Sequence, residues 1–370
     1  MKKTSISLVL ILGLGWSNFL YAKSVTPAEQ IPEYYQNMDG ESGDNLWKNV
    51  NNICVKGFST LGYDGLWTAY KITDVYPQGD KNEGKIWDMY GECNFTYSKD
   101  KCGSYSRECD CYNREHSIPK SWFGDSKSGC GCDIFHLVPT DGKVNGMRSN
   151  YDFGEVKNAT YTYNGNKLGT SVSSISVVEK TIATAAGRSV SASGTVFEPI
   201  DEYKGDFARG YFGTLVHWYS NYNFTSDNKM FSCNKRATES NNYGLTAYGV
   251  ALLMKWHRED PVSQKEIDRN NGIQQTQGNR NPFIDYPFLA EYIWGKKAGE
   301  PLCLECLMPS TDADFVPGKS DGWKGEITGW ETVPFNDNNM IPTEGKIIRN
   351  GQLIIIVNDA EYNAFGQKVK

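Results

Sequence analysis

Three stretches of the chain repeat apolar positions at helical spacing. In residues 43–55, Leu46, Val50 and Ile53 fall on one face, the signature of an amphipathic helix. Residues 205–219 repeat the signal with Phe207, Tyr211, Leu215 and Trp218, and residues 248–258 give a third, more apolar helix that Pro261 closes. Between 161 and 196 the pattern changes to Ser, Thr, Gly and Val punctuated by turns, which predicts strands or extended loops. Around the middle of the chain a strand runs up to His116, Pro119 interrupts it, Ile134 to Val138 reads as a second strand, and Pro139-Thr140-Asp141 reads as a helix entry. The order is strand, loop, strand, helix. With Thr140 or Asp141 near the cap, Asn145 falls in the first turns of that helix.

The two ends differ from this body. Lys2 and Lys3, an apolar run from Ile6 to Leu14 and the small-residue site Leu20-Tyr21-Ala22 form an export signal over residues 1–22. The run is shorter than the ~20 residues that span a bilayer, so the mature chain is expected to start near Lys23 and to be secreted, extracellular or periplasmic, or held at the cell surface. Residues 23–298 read as one domain. Periodicity is lost over 299–343, which predicts a loosely packed linker. Residues 344–370 predict a small β-module, because Asn350-Gly351 separates two β-prone runs and Asn358-Asp359 adds a second turn.

Charge and cysteines narrow the picture. A net charge of −6 argues against a broad basic surface wrapped around a polyanion and leaves room for a local basic cleft. Ten cysteines in an exported chain favour disulfides. The alternative is a structural zinc site from Cys109-x-Cys111 and Cys130-x-Cys132, although one intervening residue is tighter than zinc-knuckle spacing. Cys303-x-x-Cys306, outside any strand-then-helix context, reads as a local disulfide.

The densest chemistry lies between Cys111 and Asn150. Hydrolysis of a phosphodiester needs an activated water, charge neutralisation at the phosphate and help for the leaving oxygen. A histidine can take the proton near neutral pH. A hard cation such as Mg²⁺ needs few protein oxygens because it keeps several waters. Glu115, His116 and Asn145 supply that set. Glu115 and His116 are neighbours on a strand and would point to opposite faces, so serving one site requires a bend there.

The runs Asn-Arg-Glu-His-Ser-Ile-Pro-Lys-Ser-Trp-Phe-Gly from Asn113, Asp-x-x-His-Leu-x-Pro-x-Asp-Gly-x-Val-Asn-Gly-x-Arg-Ser-Asn from Asp133, and Gln-Gly-Asn-Arg-Asn-Pro-Phe-Ile-Asp from Gln277 resemble the bacterial endonuclease I family. So do Trp87-Asp-Met-Tyr, the run from Lys204 to Arg209, and the run from Leu253 to Pro261. The resemblance covers residues 34–294. It implies an α+β fold with a ββα-metal (His-Me finger) core embedded in a mainly helical domain, and a metal-dependent endonuclease acting on DNA, and on RNA in many relatives, without strong sequence preference. His116 would be the general base, and Glu115 and Asn145 would hold one Mg²⁺, Ca²⁺ or Mn²⁺ ion. Products would carry 5′-phosphate and 3′-hydroxyl ends.

Two features depart from the family pattern. Phe135-His136 stands where two histidines are common, and no arginine lies between Trp122 and Asp133. Arg114 or Arg148 is the expected substitute for a loop arginine at the phosphate, with Asn150, Asn279 and Arg280 as further substrate contacts. His136, His217 and His257 read as structural, as do Lys204, Asp206 and Arg209 at a helix start. Residues 277–285 read as a turn bracing the site. The protein is expected to be a monomer with a nucleic acid partner, and its tail resembles secretion or surface-attachment segments of Bacteroidetes proteins. The competing readings are a mainly RNA-directed member of the same family and a carbohydrate- or surface-binding protein. The 22 Tyr and 10 Trp would argue for the latter, although a packed core uses aromatics equally well.

Overall fold

The computed structural model describes residues 31–124, 127–176, 189–218, 224, 228–232, 239–325, 345–349, 352–357 and 360–363. The expected export signal and both predicted turns of the terminal β-module lie outside these residues. In chain order come α1 (Ile31–Tyr35), α2 (Gly43–Val55), α3 (Gly62–Thr73), β1 (Tyr112–His116), β2 (Leu137–Asp141) and α4 (Gly142–Arg148). Strands β3 (Val156–Tyr163), β4 (Asn166–Ser171), β5 (Ile175–Ser176), β6 (Ser189–Val190) and β7 (Thr195–Glu198) follow. Next are α5 (Lys204–Trp218), α6 (Ala247–Glu259), α7 (Gln264–Thr276), α8 (Pro282–Asp285) and α9 (Leu289–Ile293), then β8 (Gly345–Arg349), β9 (Gln352–Val357) and β10 (Ala360–Asn363). The fold is α+β.

Helix α5 is the axis of the core. Its apolar stripe predicts one buried face, yet every residue except Asp206 is buried. The opposite side is lined by glycines that touch other elements instead of water. A Cβ at Gly210 would lie 2.8 Å from the Phe135 carbonyl oxygen, and one at Gly213 would lie 2.7 Å from the Asn281 side chain. Close approach of this kind brings the Asp133–His136 turn against α5. His217 Nδ1 and Trp218 Nε1 then reach Asp133 Oδ2 at 2.7 and 2.6 Å.

Strands β1 and β2 pair antiparallel, with Glu115 opposite Val138 and His116 opposite Leu137. The second strand starts three residues later than the hydrophobic run Ile134 to Val138 predicts. Residues 133–136 turn instead, because Asp133 binds its own neighbourhood: Oδ1 accepts from Phe135 N at 3.0 Å and from Gln277 Nε2 at 2.8 Å. Pro139 and Thr140, expected at a helix entry, therefore belong to β2. Pro139 is tolerated because β2 pairs with β1 alone among the described residues and is therefore an edge strand. The helix begins at Gly142, and Asp141 caps it by accepting from Val144 N at 2.8 Å.

The strands predicted between 161 and 196 are present as β3, β4 and β7 in one sheet and β5 with β6 in another. Residues 299–325, by contrast, are not loosely packed. Leu302 exchanges backbone hydrogen bonds with Gly40 and Glu41, Ser310 N donates to Asp285 O at 2.8 Å, and Leu302 and Leu307 are buried. At the C-terminus β8, β9 and β10 form an antiparallel three-stranded sheet with Arg349 paired to Gln352, as the predicted turns require.

The cysteines form three disulfides among the described residues: Cys93–Cys109, Cys102–Cys111 and Cys303–Cys306. The zinc alternative is thereby excluded, since Cys109 and Cys111 are each spent on a different bond. Cys130 and Cys132 remain buried thiols, as does Cys54. No described helix is long and apolar enough to cross a membrane.

Candidate active site

The end of β1 opens into a cleft of about 430 Å³ that Glu115, His116 and Asn145 line together with Arg114 and Asn150. Neighbouring strand residues reach one cleft because the strand stops at His116 and the backbone bends at Ser117 and Ile118. The bend is held by Ser117, whose N and Oγ both donate to the His136 carbonyl, at 3.1 and 2.9 Å. Pro119 then starts a 3-10 turn over Lys120–Phe123.

His116 is 6% exposed. Its Nε2 lies 3.2 Å from the Gly131 carbonyl oxygen, which can only accept, so Nε2 carries the hydrogen. Nδ1 is left with its lone pair and has no hydrogen-bond partner among the described residues. Burial, reinforced by His136, holds the pKa down at about 2, so the ring is neutral at ordinary pH. Tyr63 stacks on it at 5.8 Å between centroids with the planes 19° apart. The arrangement is that of an imidazole fixed in one tautomer with a free acceptor nitrogen.

Glu115 is 3% exposed and uses a single oxygen for its protein contacts. Oε1 accepts from Tyr90 Oη and from Arg148 Nη1, each at 2.7 Å. Burial raises its pKa above the ordinary carboxylate value, while the Arg148 charge and the Tyr90 hydrogen bond oppose that rise. Oε2 makes no hydrogen bond among the described residues. Asn145 sits half-buried in the second half of the first turn of α4, which the Asp141 cap fixes; Asp141 Oδ2 also accepts from Cys109 N at 2.6 Å. A free carboxylate oxygen and an amide oxygen on a roomy, open cleft suit a hard cation that keeps most of its water. Among the described residues no three His, Cys, Asp or Glu side chains gather as a metal cage, so an ion held here relies on Glu115, Asn145 and water.

The remaining expected substrate contacts separate into two groups. Arg114 and Asn150 line the cleft. Arg148 does not offer its charge to a ligand: it is wholly buried and donates to Glu115, to the His116 carbonyl at 2.8 Å and to the Ser117 carbonyl at 2.5 Å. It shapes the bend instead. Asn279 and Arg280 are wholly buried too. Asn279 Nδ2 donates to the Cys54 carbonyl at 2.6 Å, and Arg280 makes a forked pair with Asp285 at 2.6 and 2.7 Å. Contact with phosphate is closed to both. Gln277 from the same turn donates to Asp133 and accepts from Ile134 N at 3.0 Å, which braces the entry to β2.

The polar residues at the start of α5 reach beyond their own helix. Arg209 pairs with Glu266 across to α7 at 2.6 Å, and Asp206 with Lys265 at 2.7 Å. His257 Nδ1 lies 3.2 Å from Arg209 Nη1. His136 Nε2 donates to the Cys130 carbonyl at 2.8 Å.

Sequence reasoning missed Tyr63, Asn113, Lys120 and Ser121, which also line the cleft. Lys120 was legible in the motif beside Pro119. Tyr63 comes from α3, about fifty residues upstream, where nothing local marks it. Lys127 stands in the loop that lacks an arginine, with its Nζ 5.2 Å from the centre of the Tyr63 ring.

A family model described as Endonuclease I matches residues 42–288. The chain is 32% identical over 278 residues to an extracellular ribonuclease of Bacillus subtilis (strain 168), which covers 74% of this chain and 82% of that protein. An extracellular ribonuclease of Bacillus amyloliquefaciens is 30% identical over 275 residues, with 73% and 81% covered.

Proposed function

This chain belongs to the endonuclease I family, and from that premise we propose that it is a secreted, divalent-metal-dependent nuclease that hydrolyses phosphodiester bonds of DNA and RNA to 5′-phosphate and 3′-hydroxyl ends. The observation that carries this reading is the tautomer lock on His116. With Nε2–H committed to Gly131, Nδ1 is the atom that takes a proton from an attacking water, and Glu115 and Asn145 stand on the same cleft. The β1, β2 and α4 succession is read as the ββα-metal unit.

Glu115 Oε2 and the Asn145 amide oxygen would hold Mg²⁺, with Ca²⁺ or Mn²⁺ as substitutes. Bound there, the ion supplies positive charge to the phosphate and to the departing oxygen. The protein does the rest. Tyr63 and the Gly131 carbonyl hold the imidazole plane, Arg148 fixes the bend that puts Glu115 and His116 on one cleft, and Arg114 and Lys120 add positive potential at the rim. Secretion is supported by the leader and by the extracellular relatives, and the β-module at the C-terminus is assigned to export or surface attachment.

A mainly RNA-directed activity is the second reading, favoured by the two relatives being ribonucleases. One experiment decides both. The mature chain and His116→Ala are incubated with plasmid DNA and with RNA, in Mg²⁺ or in EDTA. Metal-dependent loss of both polymers with the unmutated chain alone is the expected result. Loss of RNA with intact DNA selects the second reading, cleavage that survives His116→Ala removes the base assignment, and no cleavage of either polymer removes the nuclease reading.

A further inference from the structure

Four cations and three aromatic rings alternate in one continuous row that begins at the cleft. Lys127 Nζ stands 5.2 Å from the centre of Tyr63; Arg114 lies 3.6 Å from Tyr63 and 4.4 Å from Trp67. Lys101 lies 5.3 Å from Trp67 and 4.3 Å from Tyr97, and Lys71 closes the row at 4.5 Å from Tyr97. Arg114 lines the cleft and Tyr63 stacks on His116, so the row starts beside the candidate base and leads away from it.

We propose that this row is the path of a nucleic acid strand beyond the scissile phosphate, holding its backbone through Lys101 and Lys71 without reading base or sugar. The proposal rests on the nuclease reading of the cleft and adds where the polymer runs. Each ring fixes the cation above it, so the charges are set in place before a ligand arrives. None of Lys71, Lys101 and Lys127 has a carboxylate partner among the described residues, whereas many other cations of the domain are paired. Arg114 has one, Asp64 at 3.3 Å, whose side chain is 98% exposed and so screens it weakly. On a chain of net charge −6 a polyanion is drawn to a local row of this kind and not to a broad basic surface.

The outer part of the row is built to stay in register with β1. Trp67 packs its edge on Tyr112 with ring centres 5.4 Å apart, Tyr112 Oη donates to the Tyr97 carbonyl at 2.7 Å, and Lys101 bridges to Tyr112 just before the Cys102–Cys111 disulfide. The two disulfides next to β1 thus tie the segment carrying Tyr97 and Lys101 to the strand that carries Glu115 and His116. Lysines that meet only phosphate oxygens distinguish neither sequence nor ribose from deoxyribose.

The test compares the mature chain, Lys71→Gln/Lys101→Gln, and the charge-matched control Lys48→Gln/Lys319→Gln, whose lysines are exposed elsewhere. Binding of fluorescent single-stranded 20-mers of DNA and RNA is measured in EDTA from low to moderate salt, and kcat/KM in Mg²⁺ is measured on the 20-mer and on a dinucleotide. For the Lys71, Lys101 variant the expected result is a loss of about tenfold in 20-mer affinity, equal for DNA and RNA. Its salt dependence should be shallower by about 1.4 in log–log slope for two lost phosphate contacts, and its 20-mer to dinucleotide kcat/KM ratio should fall in step. Unchanged 20-mer binding, an equal loss in the control, or no 20-mer binding by the unmutated chain overturns the path. If the unmutated chain binds the 20-mers but cuts neither substrate, the nuclease reading fails while the binding comparison still judges the row.

Discussion

Arg148 Nη1 and Glu115 Oε1 meet at 2.7 Å in a pair whose side chains are 1% and 4% exposed, and the same guanidinium nitrogen also holds the His116 carbonyl. One arginine thus ties the carboxylate to the backbone of the imidazole. A buried pair adds little net stability over an apolar replacement, but breaking it leaves a charge without a partner. Arg148→Met should therefore lower unfolding free energy by about 3–5 kcal/mol and weaken activation by Mg²⁺. Arg148→Lys should rescue little, because a point ammonium cannot serve Glu115, His116 and Ser117 at once. Urea denaturation and a Mg²⁺ titration of the cleavage rate check both statements.

The tautomer lock on His116 has a spectroscopic signature. Because burial places its pKa near 2, the imidazole should stay neutral between pH 8 and pH 5. Ring-proton chemical shifts of His116 are expected to be flat across that interval, where an exposed histidine would titrate with a midpoint near ~6.5. A midpoint above pH 5.5 for this ring would contradict the buried geometry. In parallel, His116→Ala should lower kcat by about 10²–10⁴-fold and leave KM nearly unchanged.

Asp133 gives the molecule a defined acid sensitivity. Burial pushes its pKa up, yet the adjacent His217, the Phe135 amide and His136 outweigh this and bring it to about 2. A depressed folded-state value means that the unfolded chain binds the proton more readily. The stabilisation is complete above the unfolded value near ~4 and is lost as pH falls through about 2. It amounts to about 2 kcal/mol. Comparing urea midpoints of the wild type and Asp133→Asn from pH 2 to 5 should show a steeper acid decline in the wild type; parallel curves would remove Asp133 from that decline.

How much of this was readable beforehand follows from where the information sits. Helix α2 was legible with its full extent, because Leu46, Val50 and Ile53 make one face and the flanking residues break it. The Glu115, His116 and Asn145 cleft was legible because all three lie within one local unit. β2 starts three residues later than its hydrophobic run because Asp133 diverts the chain through contacts with Gln277, His217 and Trp218, which lie more than eighty residues away. Arg148, Asn279 and Arg280 carried polar motif positions that look like ligand contacts in one dimension. Burial turns each of them inward, and Tyr63 meets the site through a packing of α3 that no local pattern encodes.

Two glycines of α4 separate a rigid neighbour from a yielding one. A Cβ on Gly142 would run into Cys102 Sγ, and it would stand 3.3 Å from the Cys111 carbonyl. The disulfide between those cysteines holds both in place. A Cβ on Gly146 would meet only the hydroxyl end of Tyr105, a side chain that is 41% exposed and free to swing away. Gly142→Ala is therefore expected to cost about 1–3 kcal/mol through overpacking, against a gain of about 0.5–1 kcal/mol in helix propensity for Gly146→Ala. The disulfide should be the reason for the difference. Cys102→Ala/Cys111→Ala alone should destabilise by about 2–4 kcal/mol, and in that background the Gly142→Ala penalty should shrink by at least half. A double-mutant cycle of thermal or urea unfolding measures the coupling; a penalty that is the same with and without the disulfide would place the strain on Tyr105 or on the Cys111 backbone instead.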